Sequence, residues 1–302
     1  MKKVVRMMGL CALVALAFTS CKKNETNGNL TLTASMPQIV SNDRTVISDN
    51  ALCWYGGDTI KVLSQGEVEK FGIIETGKRT TAFNITGKED FLSNLKNNGT
   101  YFAFYPNADC SANQATINLS NNQTRIGIET GASINTYTYP MFAYNTGSNF
   151  QFHSNAGILR IRLRKSRNTT DVVKVGSIDL IAVDNNDQLV GNMTYTTNYV
   201  LNPATRLNVE NPSNQVTLTC EVPEELLSGD QSNPEYSFDF VLFEGALSGE
   251  FLVKVRNENG QLIGDFKAGA SHGGPDDYNH TILKEEIIIM PAREILGTII
   301  PE

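Results

Sequence analysis

The fold class follows from the stretch LTLTASM, Leu30–Met36, in which apolar and polar residues alternate one by one. Strict alternation is the pattern of a β-strand that buries one of its faces. The same pattern returns along most of the chain in short segments separated by Asn, Gly and Ser. The pattern predicts one helix, Lys88–Lys96, with Gly99 placed to end it. We therefore predict an all-β protein made of sandwiches or barrels.

The predicted strands fall into two groups. The first group is Asp58–Leu63, Thr80–Thr86, Tyr101–Tyr105, Ala115–Leu119, Met141–Tyr144 and Asn149–His153. The second group is Ile158–Arg164, Ser177–Val183, Val216–Cys220, Tyr236–Phe243, Phe251–Arg256, Gln261–Phe266 and Thr281–Met290. A chain of 302 residues exceeds what one hydrophobic core usually serves. We predict two domains, at 45–157 and 158–290, followed by a tail at 291–302.

The first 20 residues have the pattern of a bacterial lipoprotein signal peptide. Lys2, Lys3 and Arg6 precede an apolar run, Met7–Phe18, which leads to Cys21. The run is too short to span a membrane, since a span takes about 20 apolar residues. We expect acyl chains such as palmitate on Cys21, and membrane contact through the lipid alone. The alternative is an ordinary cleaved signal followed by a chance cysteine.

The charge balance is acidic, with 25 Lys and Arg against 32 Asp and Glu and a net charge of −7. Binding to nucleic acid or to an anionic membrane requires excess positive charge, so neither partner is expected. Arg160, Arg162 and Arg164 alternate with apolar residues in one predicted strand. In an acidic chain, this pattern favours a solvated sheet face over a stripe that binds polyanions.

The mature chain beyond Cys21 contains Cys53, Cys110 and Cys220. An odd number of cysteines leaves at least one thiol unpaired within the monomer. A bridge between Cys53 and Cys110 stays open as a possibility. Free buried cysteines that behave as small apolar residues are favoured.

No complete catalytic or metal-binding motif is present in the sequence. Gly72–Lys78 has the spacing of a phosphate-binding loop, but Arg79 replaces the required Ser or Thr, and a strand pattern follows where the motif needs a helix. His272–His280 holds two histidines and two carboxylates around a Gly-Gly-Pro turn, with a spacing that matches no zinc site. We predict no enzyme, no metal and no cofactor. Carboxylate pairs for sugar hydrolysis stay open, because such pairs meet only in the fold.

Several segments, taken together and in order, resemble the fimbrillin-like family, the subunits of type V pili. Besides the leader ending at Cys21, they are Trp54–Ile60, Tyr101–Pro106, Pro140–Phe142, Phe150–His153, Gly157–Ile161, Phe238–Phe243 and Gly249–Val253. The resemblance implies two tandem transthyretin-like β-sandwich domains after the signal peptide. It also implies export as a lipoprotein to the surface of the cell outer membrane. There the protein would assemble with other pilus subunits into a fimbrium, which serves adhesion.

The resemblance further implies that an arginine-specific protease removes the first strand, and that the emptied groove accepts a strand from the next subunit. Arg44 lies where such a cut belongs, which places the cut before Thr45 and makes 21–44 a lipidated leader. The apolar residues of the removable strand are Leu30, Leu32, Ala34 and Met36.

The C-terminal tail supplies a candidate donor strand. Its apolar residues are Ile295, Leu296, Ile299 and Ile300, with no evident place in a domain that is already complete. Addition of a strand to an open sheet edge is an established binding mode. In the alternative, the tail is the last strand of its own domain and Arg44 is an ordinary loop residue. The chain is then a non-polymerising surface lipoprotein that acts as a pilus anchor or binds a glycan or host receptor.

Overall fold

The structure, a computed structural model, describes residues 31–41, 52–64, 66–92, 101–125, 139–147, 149–197, 206–226, 236–269 and 280–301. Strands dominate this part of the chain, in which 89–92 are the only helical residues. The all-β prediction is confirmed. The predicted helix Lys88–Lys96 is helical over 89–92, and 93–96 lie outside the described residues.

The strands are numbered in chain order. In the N-terminal half they are β1 Leu32–Ser35, β2 Val40–Ser41, β3 Thr59–Ser64, β4 Glu67–Gly72, β5 Thr80–Phe83, β6 Tyr101–Tyr105, β7 Asp109–Ser111, β8 Gln114–Leu119, β9 Asn122–Arg125, β10 Met141–Asn145 and β11 Asn149–Gln151. In the C-terminal half they are β12 Ala156–Lys165, β13 Val173–Ala182, β14 Val190–Thr196, β15 Arg206–Ser213, β16 Gln215–Leu226, β17 Tyr236–Phe243, β18 Phe251–Arg256, β19 Leu262–Ala268, β20 Glu286–Ile289 and β21 Arg293–Ile295.

Two sheets of the N-terminal half pack against each other around Trp54. One has the strand order β11-β1-β5 and the other β10-β6-β3-β4. The ring of Trp54 lies 5.5 Å from Phe83 on β5, 5.4 Å from Tyr105 on β6 and 5.7 Å from Phe152, measured between ring centroids. All three contacts are edge to face, the arrangement that aromatic rings prefer. The buried aromatic cluster therefore joins the two sheets.

The C-terminal half contains two further sheets. One has the order β17-β12-β20-β2, with β21 also paired to β12, and the other has the order β19-β18-β13-β16-β9. The two sheets meet at their β17 and β9 edges, where the buried side-chain amide of Gln123 donates to the Val241 carbonyl at 2.7 Å and accepts from the Val241 N–H at 3.0 Å. The Arg125 guanidinium lies 4.9 Å from the centroid of the Phe238 ring. The Gln123 side chain on β9 thus makes the hydrogen bonds to the Val241 backbone that a neighbouring strand would make at an ordinary sheet edge.

Strand pairing crosses the predicted domain boundary in three places. A fifth sheet, β15-β14-β8-β7, combines strands from both halves. β9 pairs in parallel with β16, and β2 pairs in parallel with β20. β12 begins at Ala156, so its pairing with β17 starts just before the predicted boundary at 157 and 158. The division into two domains stays a prediction, and in this structure the halves share strands.

The predicted solvated arginine face is wrong at Arg160. Its side chain is buried, and its guanidinium donates to both carboxylate oxygens of Asp239 on β17, at 2.7 and 2.8 Å. The two residues are direct partners in the pairing of β12 with β17. A buried guanidinium needs such a two-pronged partner, because an unpaired buried charge is costly.

Candidate functional site

The first strand lies in the middle of its sheet. β1 pairs with β5 in antiparallel fashion and with β11 in parallel, so both of its edges carry main-chain hydrogen bonds. The Ser35 and Thr80 hydroxyls lie 2.7 Å apart, and the Thr33 hydroxyl donates to the Asn149 side-chain carbonyl. β1 is therefore an integral strand with a neighbour on each side.

The side chains of this segment fill the core of the N-terminal half. Leu32, Ala34 and Met36 are almost completely buried, as the alternation predicts, and Ile39 is buried after them. At about 1.5–3 kcal/mol for each fully buried large apolar side chain, Leu32, Met36 and Ile39 together contribute about 4.5–9 kcal/mol. This range is comparable with the whole net stability of an ordinary domain, about 5–15 kcal/mol.

The segment continues from the N-terminal sheet onto the C-terminal half. The Met36 N–H donates to the Arg79 carbonyl at 3.0 Å, and the Arg79 Nε donates to the Met36 carbonyl at 3.2 Å. Val40 and Ser41 then pair with Glu286 and Ile287 of β20. Residues 32–41 therefore connect the two halves by strand pairing at both of their ends.

Several predicted site residues lie outside the described residues. They are the lipidation residue Cys21, the first apolar residue of the removable strand Leu30, and the cleavage pair Arg44 and Thr45. In sequence, Arg44 follows closely after Ser41, the last residue of β2. Lipidation and cleavage stay predictions.

The C-terminal tail has a place in the C-terminal half, which was the alternative that the sequence left open beside a donor strand. Arg293–Ile295 pairs in parallel with the end of β12, and Ile295 is buried. The Ile300 N–H donates to the Leu262 carbonyl on β19 at 2.9 Å. Leu296 and Ile299 remain 51% and 55% exposed. The tail thus carries one buried anchor and two exposed apolar side chains, and its donor role stays a prediction.

The loop with phosphate-binding spacing is part of the sheet framework. The Lys78 carbonyl accepts from the Trp54 N–H at 2.9 Å, and the Gly77 N–H donates to the Trp54 carbonyl at 2.7 Å. The strand β5 follows it, as the sequence predicts. Of the second candidate cluster, His280 is buried, whereas 272–279 lie outside the described residues.

The cysteines of the mature domains are free thiols. Cys220 is buried, and Cys53 and Cys110 are half-buried. Burial raises the pKa of the Cys110 thiol and of the Cys220 thiol to about 11 in each case. Thiols with raised pKa values are weakly nucleophilic at neutral pH, because the thiolate is the reactive form.

The described part of the chain shows neither a metal-binding cluster nor a membrane-spanning helix. Within it, we found no set of three or more His, Cys, Asp or Glu side chains arranged to hold a metal ion. The same residues include no helix with the length and hydropathy needed to cross a membrane.

Comparison with known proteins gives matches among solved structures. No protein-family model matches the chain, and no curated protein matches it. A candidate cell adhesion protein from Bacteroides ovatus is 12% identical, with a TM-score of 0.46, over 90% of this chain and 98% of its own. The chain is similar to fimbrial and cell adhesion proteins of Bacteroides.

Two of the matching structures are fimbrial proteins. One, from Bacteroides ovatus, is 10% identical, with a TM-score of 0.36, over 88% of this chain and 50% of its own. The other, from Bacteroides vulgatus, is 9% identical, with a TM-score of 0.32, over 89% of this chain and 97% of its own.

Proposed function

We propose that this protein is a subunit of an adhesive surface fibre of the type V pilus kind. In this proposal it is exported as a lipoprotein through Cys21, cut after Arg44 by an arginine-specific protease, and polymerised by exchange of a strand. The observation that carries the proposal is the position of β1, a buried middle strand within a short N-terminal segment that ends just before Arg44. The fimbrial names of the structural matches agree with this role and with a location at the cell surface.

A cut after Arg44 would remove β1 and β2 together. The facing edges of β5 and β11 would lose their partner, and the apolar floor beneath Leu32 and Met36 would meet water. The outer edge of β20 would be uncovered at the same time. Unpaired sheet edges next to an apolar groove are ready templates for a strand from another chain. The uncut chain, in which all of these edges are covered, would stay a monomer.

The cleavage step can be tested on cells. Mass spectrometry of protein sheared from the cell surface should show an N-terminus at Thr45. The Arg44→Lys variant keeps the charge but removes the site for an arginine-specific protease, so its surface protein should retain residues 21–44 and should not form fibres. If both proteins begin at the same residue, cleavage at Arg44 plays no part in assembly.

The lipid anchor needs a separate experiment, because it can fail while strand exchange holds. Cys21→Ala removes the sulfur that would carry the acyl chains, so this variant should move from the membrane fraction to the soluble fraction. A Cys53→Ala variant, changed at a half-buried thiol, should remain with the membrane. Retention of the Cys21→Ala protein in the membrane fraction would contradict lipidation at this residue.

The alternative function is a surface lipoprotein that does not polymerise and acts as an anchor or as a binder of a glycan or host protein. A specific observation favours it, since the tail is seated on its own half through β21 and through the bond from Ile300 to Leu262. In this alternative the tail completes the C-terminal sandwich, and it is not available as a donor strand for another subunit. The size of the protein after cleavage distinguishes the two functions.

A further inference from the structure

A cleft separate from the strand-exchange region opens where loops of the C-terminal half meet. It has a volume of about 450 Å³, within the range of about 300–1,000 Å³ typical of small-molecule sites. Its walls are the loop 183–189 between β13 and β14 and the start of the connection from β17 to β18. Phe243 and Val209 form the apolar part of its lining.

The backbone around the cleft is held by hydrogen bonds. The Asp187 carboxylate accepts the Leu247 N–H at 3.2 Å, which supports a buried Leu247 in the left-handed region at φ 60°. The Glu244 N–H donates to the Asn155 carbonyl at 3.0 Å, and the Gly245 N–H donates to the Ile282 carbonyl at 2.8 Å. Both walls are thereby fixed to the sandwich. Binding sites are often formed by polar groups on loops that a rigid scaffold holds in place.

The polar lining combines side-chain amides, carboxylates and the hydroxyl of Ser248. Asn155, Asn186 and Gln188 supply side-chain amides, which both donate and accept hydrogen bonds. The carboxylates of Asp184, Asp187 and Glu244 accept only. Asp184 already accepts a hydrogen bond from the Asn186 side-chain amide at 3.1 Å, and Asp187 accepts the Leu247 N–H. The lining contains no Lys or Arg, so an anionic ligand would meet repulsion without a compensating cation.

We propose that this cleft binds a neutral saccharide. A sugar residue offers hydroxyl groups that donate to the carboxylates and both accept from and donate to the amides. It also has an apolar C–H face that can lie against Val209. Saccharides with carboxylate or sulfate groups are disfavoured by Asp184 and Glu244. In the glycan-binding alternative, this cleft is the binding site. It is present in the uncut chain, so binding does not depend on strand exchange.

Titration calorimetry on the uncut full-length protein, in buffer with EDTA, tests the site with a panel of neutral mannose- and galactose-containing oligosaccharides and their sialylated or sulfated counterparts. We expect at least one neutral member to bind and its acidic counterpart to bind at least roughly tenfold more weakly. Asn186→Ala and Gln188→Ala, both changes of exposed side chains, should each weaken binding roughly tenfold, as expected for a lost hydrogen-bonding group.

The matched control is Asn259→Ala, an exposed asparagine in the turn between β18 and β19, which should bind as the unchanged protein does. Circular dichroism of each variant should match the unchanged protein. Three results would each overturn the proposal: no neutral saccharide binding at millimolar concentration, equal binding of acidic counterparts, or unchanged affinity in both cleft variants.

Discussion

The first strand and the C-terminal tail are both short terminal segments, but the fold holds them in different ways. β1 has hydrogen-bonded neighbours on both edges, and its apolar side chains are buried. The tail pairs with β12 through Arg293–Ile295 and touches β19 through Ile300, while Leu296 and Ile299 are about half exposed. One segment is enclosed by its sheet, and the other is laid on the surface of its own half.

Because of this difference, removal of the two segments exposes different amounts of sheet edge and apolar surface. Removal of β1 separates β5 from β11 and exposes an apolar slot between them. Removal of the tail leaves β12 paired with β17 and β20. In the proposed exchange, the place of β1 must therefore be refilled, whereas the tail can leave at a smaller cost. In the proposed exchange, the position of β1 is the acceptor site and the tail is the donor.

The largest expected effect comes from one matched pair of truncations. Leu32→Ala should lower the free energy of unfolding by about 2–5 kcal/mol, because it leaves a cavity in a closed core. Leu296→Ala removes the same atoms from an exposed position of the tail and should stay within about 0.5 kcal/mol of the unchanged protein. Urea denaturation of both variants measures the difference. Equal losses would mean that the two segments are held alike.

A smaller effect is expected from a substitution that loosens the tail and leaves β1 unchanged. A Cβ at Gly264 would lie 2.9 Å from the Cδ1 of Ile295, the buried anchor of the tail. Gly264→Ala should therefore displace Ile295 at a cost of about 1–3 kcal/mol, the usual range for overpacking. Hydrogen exchange should quicken at 293–300 and stay unchanged at 32–35. Faster exchange at both segments would contradict independent attachment.

The smallest expected effect is a pH dependence located in the N-terminal half. Burial raises the pKa of Asp58 above its ordinary value of 3.8, against the hydrogen bonds from the Tyr55 N–H and the Tyr105 hydroxyl. The folded protein then holds this proton more tightly than the unfolded chain. The Asp58 contribution to stability is accordingly largest below pH 3.8 and is lost as the pH rises through the raised pKa.

Asp58→Asn cannot titrate, so subtracting its unfolding curve from that of the unchanged protein isolates the contribution of Asp58. Trp54 is the only tryptophan of the chain and lies in the same aromatic cluster as Tyr105, so its fluorescence reports on this half. A difference that does not change between pH 3.5 and 7, or that grows with pH, would contradict a raised pKa.

Much of the strand pattern could be predicted from the sequence, because strands that bury one face alternate visibly. Tyr101–Tyr105, Tyr236–Phe243 and Phe251–Arg256 have the same bounds in the structure. β4, β7 and β9 were missed, since they are edge strands that have at least half of their residues exposed and carry no apolar alternation. β14 was missed because its alternation is hidden by Gly191 and by Thr194, a polar residue that is nevertheless buried.

The candidate site was predicted in part. Leu32, Ala34 and Met36 were assigned to a buried strand from their alternation, and the structure buries all three. The parallel pairing of β2 with β20 joins residues more than 200 positions apart, and no local pattern reveals such a contact. The packing of Ile295 beside Gly264 was missed for the same reason, since the site that holds its side chain forms only when β19 and β12 are in place.

The most direct measurement is the size of the protein after cleavage, with and without its tail. Two purified chains, one ending at Glu302 and one ending at Pro291, are treated with an arginine-specific protease, and light scattering follows each mixture once mass spectrometry shows the cut at Arg44. The account predicts that both uncut chains are monomers, that the cut full-length chain forms polymers, and that the cut chain without residues 292–302 does not. A full-length chain that stays monomeric after the cut, or polymers that form without the tail, would contradict strand exchange between β1 and the tail.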